Sequence, residues 1–369
     1  MEMRGGKILD KPLSYSTYSK GNQKVVFRYI VSVAICIILL GVTKIIINSQ
    51  KDEMNVWEIK HHYYSHLYSK GNEVEPQLIE KIKNLDDVEG IYPYYNYYQA
   101  FQGFLSNIDS TTYFLERKGI VKIMEQLAPE YDTSRIPEEN QFKAILSQRV
   151  VTNRKLQLGD MTIKDNQTTY QDTFESTLPI GFCPTTVEDN GYYYLILAKK
   201  GRVSQMNTAV RAMLPEGVYY EDLASVTKEN MHGFSDLEHT FNIIMMVMTL
   251  VLSVTTGFLT YMHYLARRRE VGILSAIGYS DSMLIKRMSK EILISTIIAT
   301  ILAILIISVI VKGLNIFLAK PNGYMLFKMD LSIIKLLIIV PLFMMIFSLI
   351  PTWILLRTTT QVTLVQRGY

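Results

Sequence analysis

The sequence predicts a membrane protein with four transmembrane α-helices and a large α+β extracytoplasmic domain inserted between helices 1 and 2. Three observations predict this fold class. Of the 369 residues, 49% are apolar, and the mean hydropathy of +0.13 is high for a soluble protein. Four apolar stretches have about the 20 residues that are needed to cross the hydrocarbon core of a bilayer. A long polar segment separates the first of these stretches from the second.

The predicted spans are residues 29–47, 241–265, 292–311 and 333–356. Lys44 interrupts the first span near one end, where its ammonium group can reach the headgroups while its methylene stem stays in an apolar environment. We interpret this span as an uncleaved anchor rather than a signal peptide. Its leader is long, and no small-residue cleavage pattern follows Ile47.

The distribution of basic residues predicts the orientation of the chain. Lysine and arginine are concentrated in residues 1–28, in residues 266–291 and in the tail, residues 357–369. These segments share one side if four spans alternate, and the positive-inside rule makes that side cytoplasmic. The short outer loop, residues 312–332, also carries three lysines, but the three basic segments together outweigh it in the prediction of orientation. Both termini are therefore expected in the cytoplasm, with the protein in the plasma or inner membrane.

The segment of residues 48–240 is predicted to be extracytoplasmic and acidic. It holds 19 basic and 28 acidic residues, a net charge of −9, although the whole chain has a net charge of +4. The basic balance of the chain thus reflects membrane topology and does not indicate nucleic-acid binding. Cys183 is the single cysteine of the segment, so the domain must depend on its own core rather than on an internal disulfide.

Local patterns in this segment alternate between helix and strand. "PQLIEKIKNL" predicts a helix from Pro76, and "DVEGIYPYYNYYQAF" predicts strand, which together with a preceding strand forms a βαβ-type unit. Residues 109–141 are expected to be mostly helical. "AILSQRVV" predicts a strand that runs into a helix, and "LQLGDMTIK" predicts two strands with the bend at Gly159 and Asp160. "TLPIGFCP" and "GYYYLILAKK" predict further strands.

Enzymatic motifs are missing from the sequence. It contains no GxxxxGK[ST], HExxH or GxSxG pattern, so we expect no catalytic activity and no bound metal. His61, His62 and His66 lie close together, but the carboxylates and cysteines of a metal site are not beside them, and packing roles are favoured. Ionisable residues are sparse within the spans, so any transport must draw its energy from a partner.

Sixteen of the 24 tyrosines lie in residues 48–240. Tyrosine combines a large contact area with a polar tip, which suits a surface for amphipathic ligands. The same residues are also ordinary components of strands, and the sequence leaves both interpretations open.

The segment after the second span combines charge with helical periodicity. In "RRREVGILSAIGYS", Val271, Leu274 and Ile277 or Gly278 fall on one face of a helix. Gly278 suits the end of this helix, and Ser280 or Asp281 suits the cap of the next. The apolar face must be buried, either on lipid headgroups or against a soluble partner, and the pattern leaves both open.

This segment closely resembles the one that follows the second transmembrane helix in FtsX/MacB-type ABC transporter permeases. The matching residues are Arg268, Arg269, Glu270, Gly272, Leu274, Ala276 and Gly278. Ser275 stands where the family often has arginine or lysine. Fainter similarity covers "IEKIKNLDDVEGIYPYY", "AILSQRVVTNRKLQLGDMTI" and the tail, where Gln361 and Val362 replace a common proline.

The resemblance implies a coupling helix that binds a separate cytoplasmic ABC ATPase. The residues expected to contact the ATPase are Arg268, Arg269, Glu270, Val271, Gly272, Leu274, Ala276, Ile277 and Gly278. ATP and Mg would be bound by that partner and not by this chain. The resemblance also implies a homo- or heterodimer of permeases, allows an adaptor of the membrane-fusion type, and involves the lipid bilayer but no nucleic acid.

The function that follows from the resemblance is that of the permease subunit of a MacB-like exporter. Such a subunit couples ATP hydrolysis to export of a peptide, an antibiotic or another amphipathic substrate by mechanotransmission. The alternatives are an FtsX-like regulatory permease, which transmits ATPase motion to a cell-wall hydrolase, and a lipoprotein-releasing permease.

Overall fold

The computed structural model describes residues 23–69, 73–105, 107–188, 191–266, 271–274 and 278–358. Within them the chain divides into two compact units. We call the first the membrane unit; it holds the residues up to Ile47, His239–Lys312, and those from Lys328 onward. The second, the α+β unit, holds Asn48–Glu238 and Gly313–Phe327. Most of the segment predicted as a short outer loop, residues 312–332, thus belongs to the α+β unit.

The described helices and strands alternate along the α+β unit and lengthen in the membrane unit. In chain order the helices are α1 (Gln23–Lys60), α2 (Pro76–Lys83), α3 (Arg117–Leu127), α4 (Gln148–Arg154), α5 (Val203–Arg211), α6 (Leu223–Ala266), α7 (Asp281–Leu314) and α8 (Leu331–Thr358). The strands are β1 (Tyr64–Ser69), β2 (Val88–Pro93), β3 (Tyr95–Gln102), β4 (Asn107–Leu115), β5 (Lys143–Ser147), β6 (Met161–Ile163), β7 (Thr168–Phe174), β8 (Ile180–Pro184), β9 (Tyr193–Ala198) and β10 (Val218–Glu221).

Four of the described helices are long and apolar enough to cross a membrane, and with the α+β unit they confirm the predicted fold class. Their apolar stretches are Gln23–Glu53, His239–Ala266, Ser282–Asn322 and Leu331–Pro351. The helix predicted to begin after Ser280 or Asp281 and the third predicted span are one helix, α7, with no break near residue 291. This continuity has a simple cause, since residues 281–292 contain no glycine or proline that would interrupt the helix.

Two sheets form the α+β unit in the described part of the chain. The first has the order β10-β1-β9-β2, with all neighbours antiparallel. The second has the order β3-β4-β8-β5-β7-β6, with parallel pairs β4–β8 and β5–β7. The predicted βαβ unit is therefore split, because β9 lies between β1 and β2.

Apolar residues of both sheets share one core. Tyr64 and Leu195 of the first sheet are buried in the same cluster as Tyr113 and Phe182 of the second. Helix α3 contributes Ile120 to this cluster. A separate cluster buries the other face of the first sheet beneath α2 and α5, so the first sheet is covered on both faces.

Two local predictions are wrong. Residues 107–115 form strand β4, whereas helix was expected, and only Arg117–Leu127 is α-helical in residues 109–141. "LQLGDMTIK" does not form two strands around Gly159, because residues 155–160 lie outside any strand and the reversal comes after β6. The Gly159 and Tyr170 backbones do pair, since the Gly159 N–H donates to the Tyr170 carbonyl at 2.8 Å.

Helices α6 and α8 approach closely within the membrane unit. A Cβ atom placed on Gly257 would lie only 2.6 Å from the carbonyl oxygen of Phe347. One turn further along, the Thr260 hydroxyl lies 3.3 Å from that of Ser348. Small residues allow such approach between membrane helices, where packing rather than hydrophobicity drives association.

This contact predicts a difference between two glycines. Replacing Gly257 by leucine should force α6 and α8 apart and destabilise the full-length protein by about 1–3 kcal/mol, the usual cost of overpacking. Gly313→Leu is the matched control, because nothing lies within 4 Å of a Cβ atom at Gly313. The measurement is the thermal unfolding midpoint in detergent, and equal midpoints for the two variants would contradict the close approach.

Candidate functional site

The elbow, which we define as residues 266–291, is the site predicted from the sequence. The predicted contact residues outside the described part of the structure are Arg268, Arg269, Glu270, Ala276 and Ile277. Those within it are Val271, Gly272, Leu274 and Gly278.

A glycine turn ends the first described helical segment of the elbow, as predicted. Residues 271–274 are helical, and Gly278 has a positive φ of 102°. The Tyr279 N–H donates to the Leu274 carbonyl at 3.2 Å, which with this glycine is typical of a Schellman helix end. Helix α7 then begins at Asp281, and the carbonyl of Ser280 accepts the hydrogen bonds of its first turn. Gly278 therefore separates the helical segment at residues 271–274 from α7.

The elbow packs on an apolar cluster of the membrane unit. The buried members of this elbow cluster are Tyr264, Val271, Leu284, Met288 and Ile292. Leu274 packs against the cluster from its edge, whereas Ile273 points away from it and is 54% exposed. On the predicted face, Val271 is thus buried and Leu274 partly buried by the chain's own helices, whereas Gly278 is exposed. Ile273 lies outside the elbow cluster.

A buried ion pair supports the elbow cluster. The Glu291 carboxylate is 4% exposed and accepts a hydrogen bond from the Arg287 Nε at 3.0 Å. The Tyr264 hydroxyl of α6 lies 3.3 Å from the same carboxylate. A buried carboxylate is stable only when it is paired and hydrogen-bonded, so these contacts fix α6 against α7. The elbow is therefore attached to a rigid base.

The α+β unit contains a second group of polar side chains, which we call the polar cluster. Its members are Lys60, His61, His66, Tyr113 and Glu221. Four of its members are buried, whereas the side chain of the fifth, Glu221, is 39% exposed. Glu221 Oε1 lies 3.2 Å from His61 Nε2 and 3.7 Å from the Lys60 ammonium. The ammonium donates to the Tyr113 hydroxyl at 3.4 Å, and this hydroxyl lies 3.4 Å from His66 Nε2. One acid and one base thus neutralise each other beside two histidines.

Burial and charge determine the ionisation of the polar cluster. Burial lowers the pKa of His66 well below 6.5, and the nearby Lys60 charge lowers it further. Burial also lowers the pKa of His61, against the opposing hydrogen bond to Glu221. For Glu221, burial alone would raise the pKa, but the His61 hydrogen bond and the Lys60 charge outweigh it and lower the pKa to about 2. Both histidines are therefore neutral at pH 7, and Glu221 is ionised.

The three neighbouring histidines occupy different environments. His61 and His66 are buried with their rings 5.6 Å apart, whereas His62 is exposed and does not share the buried face of His66. Among the described residues, no three His, Cys, Asp or Glu side chains are grouped as metal ligands. No local pattern indicates Glu221 as a partner of His61, because the two residues are 160 positions apart in the chain.

A cavity of about 740 Å³ opens in the α+β unit between α5 and the start of α6. Its wall includes His62, Asn207, Thr208 and Lys228. Arg211 also lines it, and its Nε donates to Asp222 Oδ2 at 2.8 Å. The wall combines hydroxyl, amide and charged groups with apolar surface, which suits an amphipathic molecule better than a purely apolar one.

Residues 242–360 match the family described as FtsX-like permease C-terminal. The match covers α7 and α8 together with the part of α6 from Asn242 onward, and thus most of the membrane unit with the elbow. The resemblance of the elbow segment to FtsX-like permeases is therefore confirmed, and it extends over residues 242–360. Comparison with curated proteins gives no match.

Two solved structures are similar to this chain at low identity. The first is the periplasmic region of MacB from Actinobacillus actinomycetemcomitans, with 5% sequence identity and a TM-score of 0.27. The matched region covers 45% of this chain and 91% of the MacB chain. The extracellular domain of the noncanonic ABC-type transporter YknZ from Gram-positive bacteria has 10% identity and a TM-score of 0.26. This second match covers 43% of this chain and 100% of the YknZ domain.

The polar cluster predicts acid sensitivity. The folded-state pKa values of His61 and His66 lie below the ordinary 6.5, so the unfolded chain binds more protons as the pH falls below that value. The stabilisation from these histidines is therefore fully present above pH 6.5. As the pH falls further, the free energy of unfolding decreases by up to about 1.4 kcal/mol per pH unit for each extra proton that the unfolded chain binds. Glu221 adds no slope here, because its stabilisation is lost only between pH 4.5 and about 2.

The measurement is the unfolding midpoint of the full-length protein between about pH 7.5 and 5.5. His66→Gln should flatten the dependence, whereas His62→Gln, at the exposed neighbour, should keep the wild-type slope. If His66→Gln kept the wild-type slope too, the buried histidine would not be the source of the acid sensitivity.

Proposed function

We propose that this chain is the membrane subunit of a MacB-like ABC export system. In this proposal a separate cytoplasmic ATPase binds the elbow and supplies ATP hydrolysis with its own Mg site. The motion passes through the membrane helices to the α+β unit outside the membrane, which engages a peptide, an antibiotic or another amphipathic substrate. Two copies of the permease, identical or different, assemble with the ATPase, with or without an adaptor.

The exposure of Ile273 carries the proposal. It presents a large apolar side chain on a short helix whose other side is anchored by Val271 and Leu274 in the elbow cluster. An exposed apolar side chain on a rigidly mounted helix suits insertion into a groove of a soluble partner. Because the elbow cluster joins this helix to α6 and α7, a push on Ile273 would be carried into two membrane helices at once.

The membrane unit offers few groups that could power transport alone. Lys44 lies 3.5 Å from the Asn242 side chain, and Arg287 is bound to Glu291. Ion-driven transporters use carboxylates or broken helices near the middle of the membrane as coupling sites. The charges of Lys44 and Arg287 lie near the ends of the predicted spans and are paired, which suits a subunit driven by a partner ATPase better than an ion-driven carrier.

The orientation in the proposal follows from charge. The basic segments, residues 1–28 and 266–291, support a cytoplasmic elbow, and the net charge of −9 in residues 48–240 suits the opposite side. The amphipathic wall of the α+β cavity, with Arg211 and Lys228 beside apolar residues, supports an amphipathic substrate.

The test is Ile273→Asp in the full-length chain. A charge at this exposed site should reduce recovery of the ATPase with the purified permease at least tenfold, because it would have to be desolvated at the contact. Membrane insertion and the unfolding midpoint should stay near wild type, since Ile273 lies outside the elbow cluster. Met283→Asp is the matched control, an exposed apolar residue of the same elbow at the start of α7.

Equal recovery of the ATPase with Ile273→Asp and with wild type would contradict docking through the elbow. Leu274→Asp is unsuitable for the test, because it places a carboxylate against the elbow cluster and should lower stability. Accumulation of an amphipathic compound in a deletion strain would support export, and recovery of a cell-wall hydrolase without such accumulation would support regulation.

A further inference from the structure

Helix α1 continues into the α+β unit as a segment that we call the stem, Asn48–Lys60. Among the stem residues whose side chains the structure describes, the buried ones repeat at a spacing of four, three and four residues. They are Ser49, Glu53, Val56 and Lys60. This spacing places all four on one helical face. Two of them carry opposite charges, which is unusual for a buried face.

Glu53 is held from two directions. One carboxylate oxygen accepts a hydrogen bond from the Arg149 guanidinium of α4, and the other accepts one from the Met325 N–H at 3.0 Å. Both charged side chains are almost completely buried, with exposures of 2% for Glu53 and 6% for Arg149. The carboxylate therefore joins the stem to α4 and to the 313–327 segment.

Arg149 extends the same junction through its other nitrogens. Its Nε donates to the Gly323 carbonyl at 2.8 Å, and its Nη1 donates to the Thr177 carbonyl at 2.9 Å. The guanidinium also lies 4.9 Å from the centre of the Phe101 ring. The guanidinium thus makes three hydrogen-bonding contacts and one ring contact, which together restrict its position.

The 313–327 segment is shaped to fit this junction. Gly323 has a positive φ of 66°, and a Cβ atom there would lie 2.6 Å from the Arg149 carbonyl oxygen. The Asn153 amide donates to the Asn322 carbonyl at 2.7 Å. The segment is thus bound to α4 through backbone and side chain.

Lys60 fixes the other end of the stem. Its ammonium lies 3.7 Å from Glu221 of β10 and 3.4 Å from the Tyr113 hydroxyl of β4. Glu53 and Lys60 are two turns apart, about 10 Å along the helix axis. The stem is therefore bound near α4 at one point and to the polar cluster at another, with Val56 buried between them.

These two contacts specify the register of the stem. A slip of one turn would bring Ser49 to the place of Glu53 and Val56 to the place of Lys60. Arg149 would then lose its charged partner while buried, and an uncompensated buried charge is strongly destabilising. Glu221, whose side chain is 39% exposed, would lose the Lys60 ammonium as well. A purely apolar face would tolerate such a slip far better, because hydrophobic burial is not directional.

We propose that Glu53 and Lys60 are positioning residues that lock the register of the stem, so that rotation or axial displacement of α1 moves α4, β10 and the 313–327 segment together. The register lock stands on the contacts of the α+β unit alone. Its use in transmission rests on the proposed function.

The first test measures register in the full-length protein in nanodiscs. Native Cys36 and Cys183 are replaced by serine, and spin labels are placed at Lys51→Cys on the stem and Leu158→Cys after α4. The expected result is one narrow distance distribution. Glu53→Gln and Lys60→Met should each broaden it or add a population displaced by up to about 5 Å, one helical turn.

Arg135→Met is the matched control, because it also removes an ion pair of the α+β unit, with Asp172, but one that does not touch the stem. It should leave the distribution narrow. Unchanged distributions in Glu53→Gln and Lys60→Met, with midpoints that report normal folding, would overturn the register lock. Exchanging the charges by Glu53→Arg with Arg149→Glu should not restore the distribution, since the Met325 N–H and the Gly323 carbonyl would face groups of the wrong kind.

The second test separates the register lock from the proposed function. The ATPase that co-purifies with the wild-type permease should also bind Glu53→Gln, but substrate-dependent stimulation of its ATP hydrolysis should fall at least fivefold. Full stimulation despite a broadened distribution would overturn the role in transmission. Failure of the wild-type chain to bind any ATPase would overturn the proposed function while leaving the register measurement intact.

Discussion

The burial of opposite charges on one helix is the constraint on which the α+β unit depends. The buried Glu53 carboxylate accepts hydrogen bonds from the Arg149 guanidinium and the Met325 N–H, and the guanidinium in turn donates to carbonyls such as that of Gly323. Leaving a buried charged group without its partner is strongly destabilising. The junction therefore joins residues 53, 149, 177 and 323, which are far apart in sequence.

The helices of the membrane unit are held together by different interactions. Its helices have little to gain from hydrophobic burial in lipid, so they depend on close approach at Gly257 and on hydrogen bonds such as that between Thr260 and Ser348. A charge pair, Glu291 with Arg287, occurs next to the elbow cluster and fixes the base of the elbow. Both units thus place a buried ion pair where a segment with a proposed mechanical role is attached.

The sequence was sufficient for the features that depend on local periodicity. The four apolar stretches, the helix from Pro76 and the strand that leads into α4 follow from patterns within about 20 residues, and the glycine turn at Gly278 follows from its type. Strand β4 was predicted as helix because its pattern is ambiguous, and its position between β3 and β8 decides its conformation. The pairing of Glu53 with Arg149 could not be predicted, because the two residues are 96 positions apart and no local sequence pattern indicates the contact.

The elbow shows the same limit for a functional site. The spacing of Val271 and Leu274 correctly indicates a face that must be buried, but periodicity says nothing about what buries it. In the structure the chain's own helices α6 and α7 do so, through Tyr264 and Leu284. A coupling element needs two faces, because one must be attached to the membrane helices before the other can deliver a push. The hydrophobic stripe is then the attachment, and the isolated exposed residue, Ile273, is where a partner's contact is to be sought.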